Sequence, residues 1–345
     1  MIKRMFKQAT IKDVAILASV HASTVSRVLG QCPEVRVRPE TRQRIIQAAH
    51  QLNYWPNSIA RSLKTNKTFT LAMYVPDVGN PVFPEIIKGV ERTASEQGYS
   101  VLLSHMDDRS IREQVHLRMF LENRVDGLLI ATATIQDSVI DGLVQTGFPF
   151  MLINRRASET NHYVIVDDIA GAKLAVDYLI RLGHRRIAHL AGPLMFDTAL
   201  RRLQGYRKSL ADHGLDFDNR LVVESDWLSW EAGRLAMRRL LDREMCPTAI
   251  FAGNLVQAVG ATVFLQRAGL GVPDDISVIA LHDAPVAEIV SPPLSVVKMP
   301  LYDMGREAVK GLLSLINVGR EIGPSILPPL GLVIRKSTAV PKKRS

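Results

Sequence analysis

From Phe69 onward, short apolar runs alternate with stretches of helical periodicity, and this alternation restricts the chain more than any other feature. The runs FTLAMYV, YSVLLSH, VDGLLIA and FPFMLIN are separated by helical stretches at 83–97 and 111–123. Strands so apolar and so spaced fit a parallel sheet covered by helices on both faces. A second series begins near Ile165, with a helix at 168–182, the strand RIAHLAG, a helix at 198–213, the strand TAIFAG, a helix at 257–268 and the strand SVIALHD. Two such series predict two α/β halves with a cleft between them, where ligands sit beyond the carboxyl ends of the strands. After PPLSVVKMP, a helix at 304–316 and a strand near 331–335 carry the chain back between the halves.

The charge separates this body from what precedes it. Residues 1–67 hold 12 Lys and Arg against Asp13, Glu34 and Glu40, whereas the remainder balances at 31 of each sign, so the net +9 lies entirely in the head. A basic head on a neutral body meets a polyanion while the body does something else. No run of 18 apolar residues and no secretory stretch is present, which predicts a cytoplasmic chain without membrane contact. Cys32 and Cys246 have neither metal-binding nor disulfide spacing and read as free thiols.

Within the head, Thr10 and Asp13 form a capping-box pattern, and Ile11, Val14, Ala15 and Ala18 recur on one helical face. From Ala22 to Leu29, Val25, Val28 and Leu29 point inward while Ala22, Ser23, Ser26 and Arg27 point out, and Gly30 ends the run. Pro39 opens a third helix with Ile45, Ala48, Ala49 and Leu52 as its buried stripe. Short helices with so brief a first connection fit a helix-turn-helix. The following PNSIARSL, Pro56 to Leu63, opens like a helix but spans only about two turns, too few to be stable alone in water. The body shows no GxSxG, GxxxxGK[ST] or HExxH pattern and no complete dinucleotide loop, so no enzyme, cofactor or metal is expected. An α/β cleft without such chemistry is a binding site.

The stretches TIKDVA, TVSRVL, TRQRI and NYWPNSIARSL in the head, and VPDVGNPVF, RLQGYR, VPDDISVIALHD and SPPLSVVKMP in the body, resemble the LacI/GalR family of bacterial transcription regulators over nearly the whole chain. The resemblance implies a small all-α helix-turn-helix head plus an α/β periplasmic-binding-protein-like core of two parallel-sheet, Rossmann-like subdomains. It places the DNA-binding domain at 8–55, a hinge helix and linker at 56–68, and the effector-binding and dimerisation core at 69–340. Within the core, the N-subdomain takes 69–165 and 299–325, and the C-subdomain takes 166–298 and 326–340. The implied partners are a pseudo-palindromic double-stranded DNA operator, a second copy of the chain in a homodimer, and a small sugar or sugar-acid effector.

By resemblance, Ala22 and Ser23 look at base edges, Arg27 reaches a base or flanking phosphate, and Thr24, Ser26 and Thr41 anchor the backbone. Thr10, Asn57 and Ala60 complete the DNA-binding set, and Leu63 is the wedge that opens a central base step in the minor groove. The expected effector contacts are Asn80, Phe83, Arg202, Trp227, Asn254 and Asp283. Four departures from the family pattern stand out: Ser19 at a turn that usually holds glycine, His21 at a serine cap, Arg38 before the third helix, and Leu255 after Asn254. The stretch ALHD also replaces GFD or GYD. Losing the acidic acceptor that usually follows Asn254 while keeping Arg202 shifts the effector towards a sugar acid, because a guanidinium grips a carboxylate with two bonds. The alternative is a periplasmic-type solute receptor, but such a protein needs a secretory signal and has no use for a basic head.

Truncation of the wedge, Leu63→Ala, is expected to lower specific operator affinity in gel shifts while leaving the melting temperature of the free protein unchanged. An equal loss of thermal stability would make Leu63 a core residue instead.

Overall fold

The structure is a computed structural model and describes residues 9–29, 37–55, 67–105, 125–158, 160–243, 247–319 and 323–342. The chain forms two compact units, Met1–Phe69 and Thr70–Ser345. The sequence-predicted helix at 111–123, the PNSIARSL stretch and both cysteines lie outside the described residues.

In the first unit, α1 (Ile11–Leu17), α2 (Ala22–Leu29) and α3 (Pro39–Gln51) pack around Val14, Ala15, Val25, Val28, Ile45 and Ala48. The capping box is formed in both directions: Thr10 N–H donates to Asp13 Oδ2 at 2.8 Å, and Asp13 N–H donates to Thr10 Oγ1 at 3.4 Å. Ser19 does adopt a left-handed backbone, at φ 51°, a conformation that costs a residue with a Cβ about 1 kcal/mol. His21 does not leave α2 uncapped. Its Nδ1 accepts the Ser23 backbone N–H at 3.3 Å and lies 2.8 Å from the Ser23 hydroxyl, so the imidazole takes over the work of the absent serine. Arg38 precedes α3 without a side-chain cap bond.

The second unit holds two six-stranded sheets. The first runs β2 (Ser100–His105), β1 (Thr70–Val75), β3 (Gly127–Ile130), β4 (Phe150–Ile153), β5 (Tyr163–Val166) and β11 (Ser325–Leu327), all parallel. The second runs β7 (Val222–Glu224), β6 (Ile187–Ala191), β8 (Ala249–Ala252), β9 (Ser277–Leu281), β10 (Ser295–Lys298) and β12 (Gly331–Val333), with only the β10–β12 pair antiparallel. The chain crosses from the first sheet to the second between β5 and β6, returns after β10, and crosses again between β11 and β12. Because β11 belongs to the first sheet, the last crossing falls at 328–330, slightly later than the expected 325.

Helices α4 (Val82–Glu96), α5 (Ser138–Thr146) and α11 (Leu301–Val318) accompany the first sheet, and α6 (Asp168–Arg181), α7 (Asp197–Asp212), α8 (Trp230–Asp242), α9 (Leu255–Arg267) and α10 (Val286–Ile289) the second. Helices α5, α8 and the short α10 went unpredicted. In α5 the N-cap is Asp137, whose Oδ1 accepts from Val139 and Ile140, and Gly147 ends it at φ 66°. Neither signal stands out in so short a stretch.

Glycine sets a close helix crossing between α4 and α11. On α4 a Cβ added at Gly89 would overlap the Tyr302 carbonyl oxygen, and on α11 a Cβ at Gly305 would overlap the Ile86 carbonyl oxygen. Backbone cannot yield as a flexible side chain does. Gly89→Ala is therefore expected to destabilise the body by about 3 kcal/mol or more, read as a lower urea midpoint.

Candidate functional site

On the head, α2 turns Ser23, Ser26 and Arg27 to solvent, with Ala22 and Thr24 half-buried beside them. Val25 and Val28 on its other face are buried in the three-helix core, so packing fixes which residues of this helix are presented. Thr10 is exposed at the start of α1, with its hydroxyl 2.7 Å from Asp13 Oδ2, and Thr41 is half-buried in the first turn of α3. Asn57, Ala60 and Leu63 lie outside the described residues.

In the body, residues that follow the carboxyl ends of strands in both sheets meet in one cleft. Pro76, Asp77, Asn80 and Phe83 come after β1, Asn154 and Arg155 after β4, Phe196, Thr198 and Arg202 from α7 and the turn before it, Trp227 after β7, Asn254 after β8 and His282 after β9. This is the position at which α/β folds bind ligands. Five of the six expected contacts, Asn80, Phe83, Arg202, Trp227 and Asn254, line the cleft. Phe196 and Trp227 meet edge to face at 5.9 Å, and the Arg155 guanidinium lies 3.7 Å above the Phe196 ring.

Asp283 is the exception. Its carboxylate receives Arg335 Nη2 at 2.9 and 3.2 Å, and it lines a separate groove. Strand β9 ends at Leu281, and His282, at φ 72°, turns into the cleft in its place. The reading of ALHD from sequence was displaced by one residue, because the only carboxylate in that stretch drew the assignment.

Charge dominates the cleft floor. Asp168 is fully buried, and its two oxygens lie 2.7 Å from Arg202 Nε and 2.7 Å from Arg201 Nη1. Burial alone would push this carboxyl up, but Arg202 and Arg201 outweigh it and hold it below the usual carboxylate range. Arg202 also donates Nη2 to His282 Nε2 at 3.0 Å. Burial, reinforced by Arg202, pushes the His282 imidazole down to about 3, so it is neutral at physiological pH. Arg201 is turned away from the cleft towards the first half, donating to the backbone carbonyls of Val166 at 2.6 Å and Asn154 at 3.3 Å. It also pairs with Asp197, which in turn receives Arg156 Nε at 2.8 Å from the first half. Arg202, the expected contact, lines the cleft, whereas its neighbour Arg201 ties the halves together. Asp168 and His282 were not foreseen. Asp168 read only as the start of a helix.

Removing the charge of Asp168 would leave the buried guanidinium of Arg202 without a carboxylate and that of Arg201 with Asp197 alone. Asp168→Asn is expected to cost about 3–5 kcal/mol in urea unfolding. Because the folded carboxyl is held below its unfolded value of about 3.9, its contribution is present above that pH and fades as pH falls through the folded value. The variant should accordingly show a flatter loss of stability on acidification.

The comparisons agree with this geometry. Residues 10–57 match the model for bacterial regulatory proteins of the lacI family, and residues 176–338 match a periplasmic binding protein-like domain. The HTH-type transcriptional repressor CytR of Escherichia coli strain K12 is 35% identical over 97% of this chain and 98% of its own. The ribose operon repressor of the same strain is 36% identical over 90% of this chain and 93% of its own. The lac repressor dimer bound to operator and the anti-inducer ONPF superposes with a TM-score of 0.81 at 31% identity, covering 96% of this chain and all of that one. The helix-turn-helix head, the pair of sheets crossed three times by the chain and these full-length relatives establish the chain as a DNA-binding transcription regulator of the LacI family.

Proposed function

We propose that the protein is a repressor that holds a pseudo-palindromic operator as a homodimer and changes its hold when a small carbohydrate or sugar-acid effector occupies the cleft. The observation that carries this reading is the outer face of α2, where Ser23, Ser26 and Arg27 are exposed over buried Val25 and Val28, in a head that contains the chain's whole excess of positive charge. In this reading Arg27 contacts a base, Ala22 and Ser23 face base edges, and Thr10, Thr24, Ser26 and Thr41 approach phosphates. Asn57, Ala60 and the wedge Leu63 act from the 56–68 linker, between a head at 8–55 and a core at 69–340.

The effector meets Asn80 and Phe83 from one half and Arg202, Trp227 and Asn254 from the other. A ligand held by both halves favours one arrangement of them and shifts the population that binds DNA. Relatives named as repressors, one of them a ribose operon repressor, support both the repressor role and the sugar class. The same relatives favour a binding protein over an enzyme, and a DNA-bound regulator works in the cytoplasm; no described helix is long and apolar enough to cross a membrane.

Footprinting of genomic fragments is expected to give a dyad-symmetric site, since two copies of α2 in a two-fold dimer fall about one helical turn apart. Arg27→Ala should cost about 1–3 kcal/mol of specific affinity and relax preference at one symmetric position per half-site. A footprint without dyad symmetry would count against the dimeric mode, and a uniform loss over all sequences would reassign Arg27 to phosphate.

A further inference from the structure

This inference rests on the reading of the cleft as an effector site and concerns what chemistry that site accepts. Asn80 Oδ1 accepts the Val82 N–H at 3.2 Å, and Asn254 Oδ1 accepts the Gln257 N–H at 2.9 Å as the cap of α9. An amide whose oxygen is held by a backbone N–H has its orientation fixed and its Nδ2 left over as a donor. Asn254 is buried, and its Nδ2 has no partner. Arg202 spends Nε on Asp168 and Nη2 on His282, while its Nη1 makes no hydrogen bond.

His282 follows from the same logic. A guanidinium only donates, so the Nε2 that faces Arg202 Nη2 at 3.0 Å is an acceptor, and the ring proton sits on Nδ1. That Nδ1 is buried and unpartnered. Acceptors among the described cleft residues are fewer. Asp168 Oδ1 accepts from Arg202 and its Oδ2 is ion-paired with Arg201 at 2.7 Å without a hydrogen bond, Asp77 Oδ1 receives the Gly79 N–H at 2.7 Å and leaves Oδ2 as an acceptor, and Leu255 supplies no polar atom. Asn154 offers one buried acceptor without a partner. The family pattern placed a carboxylate at the end of this strand; the structure places a donor there.

A neutral sugar hydroxyl must both accept and donate, and against such a surface its own proton would face other protons. A carboxylate accepts only, and bonds to it are about twice as strong as neutral ones. We propose that His282 sets the specificity of the cleft: its Nδ1–H, together with Asn254 Nδ2 and Arg202 Nη1, receives a carboxylate of the effector, so the protein responds to a hydroxylated carboxylic acid over its neutral parent.

The full-length protein is tested with probes paired by that single group: glucose and glucuronate, galactose and galacturonate, mannose and mannuronate. Thermal shift and retention of a footprinted operator fragment are read together. At least one acid is expected to act at a concentration about tenfold below its neutral partner, and His282→Asn, which keeps a donor near the Nδ1 position, should preserve that order. His282→Asp, which replaces the donor by an acceptor, should weaken the acid about tenfold or more. Should that variant fail to fold, nitrogen-15 NMR of the His282 ring supplies the readout, with the Nδ1–H tautomer expected. Neutral sugars acting below the acids, silence from all the acids, an acid indifferent to His282→Asp, or an Nε2–H tautomer would each overturn the proposal. Neutral sugars alone would leave the cleft an effector site, whereas failure of the unliganded protein to bind any operator would overturn the regulator reading independently.

Discussion

The carboxylate of Asp168 is the point on which the body depends. It lies at the first position of α6, immediately after the chain has crossed from the first sheet, and nothing of it reaches solvent. A buried charge persists only where it is paired, and here it is paired twice. Arg201 and Arg202 are neighbours in sequence, so on a helix they leave the axis about 100° apart and cannot serve the same surface. One carboxylate with two oxygens can hold both. It therefore joins the group that lines the cleft to the group that grips the backbone of the other half.

The remaining contacts between halves gather around this point. Arg156 from the first half pairs with Asp197 from the second, Arg155 lies over Phe196, and the Ile135 N–H donates to the Met195 carbonyl at 3.3 Å. Arg156, Arg201 and Arg202 thus share two carboxylates, Asp168 and Asp197, in one region. Such an excess of positive charge next to the cleft raises the potential that an entering anion meets. Burial first, and then the charge of Arg202 beside it, keeps His282 neutral.

How much of this could be read beforehand depended on range. Periodicity is local, so the apolar runs gave β1 to β4 of the first sheet and β6, β8 and β9 of the second, but not the inner strands β5 and β10, and apolar spacing gave the three head helices to within a residue or two. Edge elements such as β7 and β11, only three residues each, carry too little pattern to be seen. The cleft divides in the same way. Asn80, Phe83, Arg202, Trp227 and Asn254 stand in stretches that resemble the family pattern, so the resemblance pointed to them and the structure brings them into one cleft. Asp168, Arg201 and His282 act through partners 34 to 80 residues away, and no spacing encodes that. His21 shows the limit at short range, since its substitution looked like a lost cap until the ring nitrogen was seen to accept from Ser23.

A regulator of this kind is governed by differences. A ligand that binds two arrangements of the halves equally shifts nothing, however tightly it binds, and to move a population from one part in a hundred to its inverse it must prefer one arrangement by about 5.5 kcal/mol. Contacts made by both halves supply such a preference, because opening the cleft breaks half of them. Asn80 and Phe83 belong to the first half and Arg202, Asn254 and His282 to the second, so a ligand spanning them is paid in full only when the halves stand as they do here. Arg201, Arg156 and Asp197 hold that same arrangement without a ligand. Their strength sets how much work is left for the effector: a stronger lock leaves less to shift, and a weaker one makes the response larger but the unliganded state less defined.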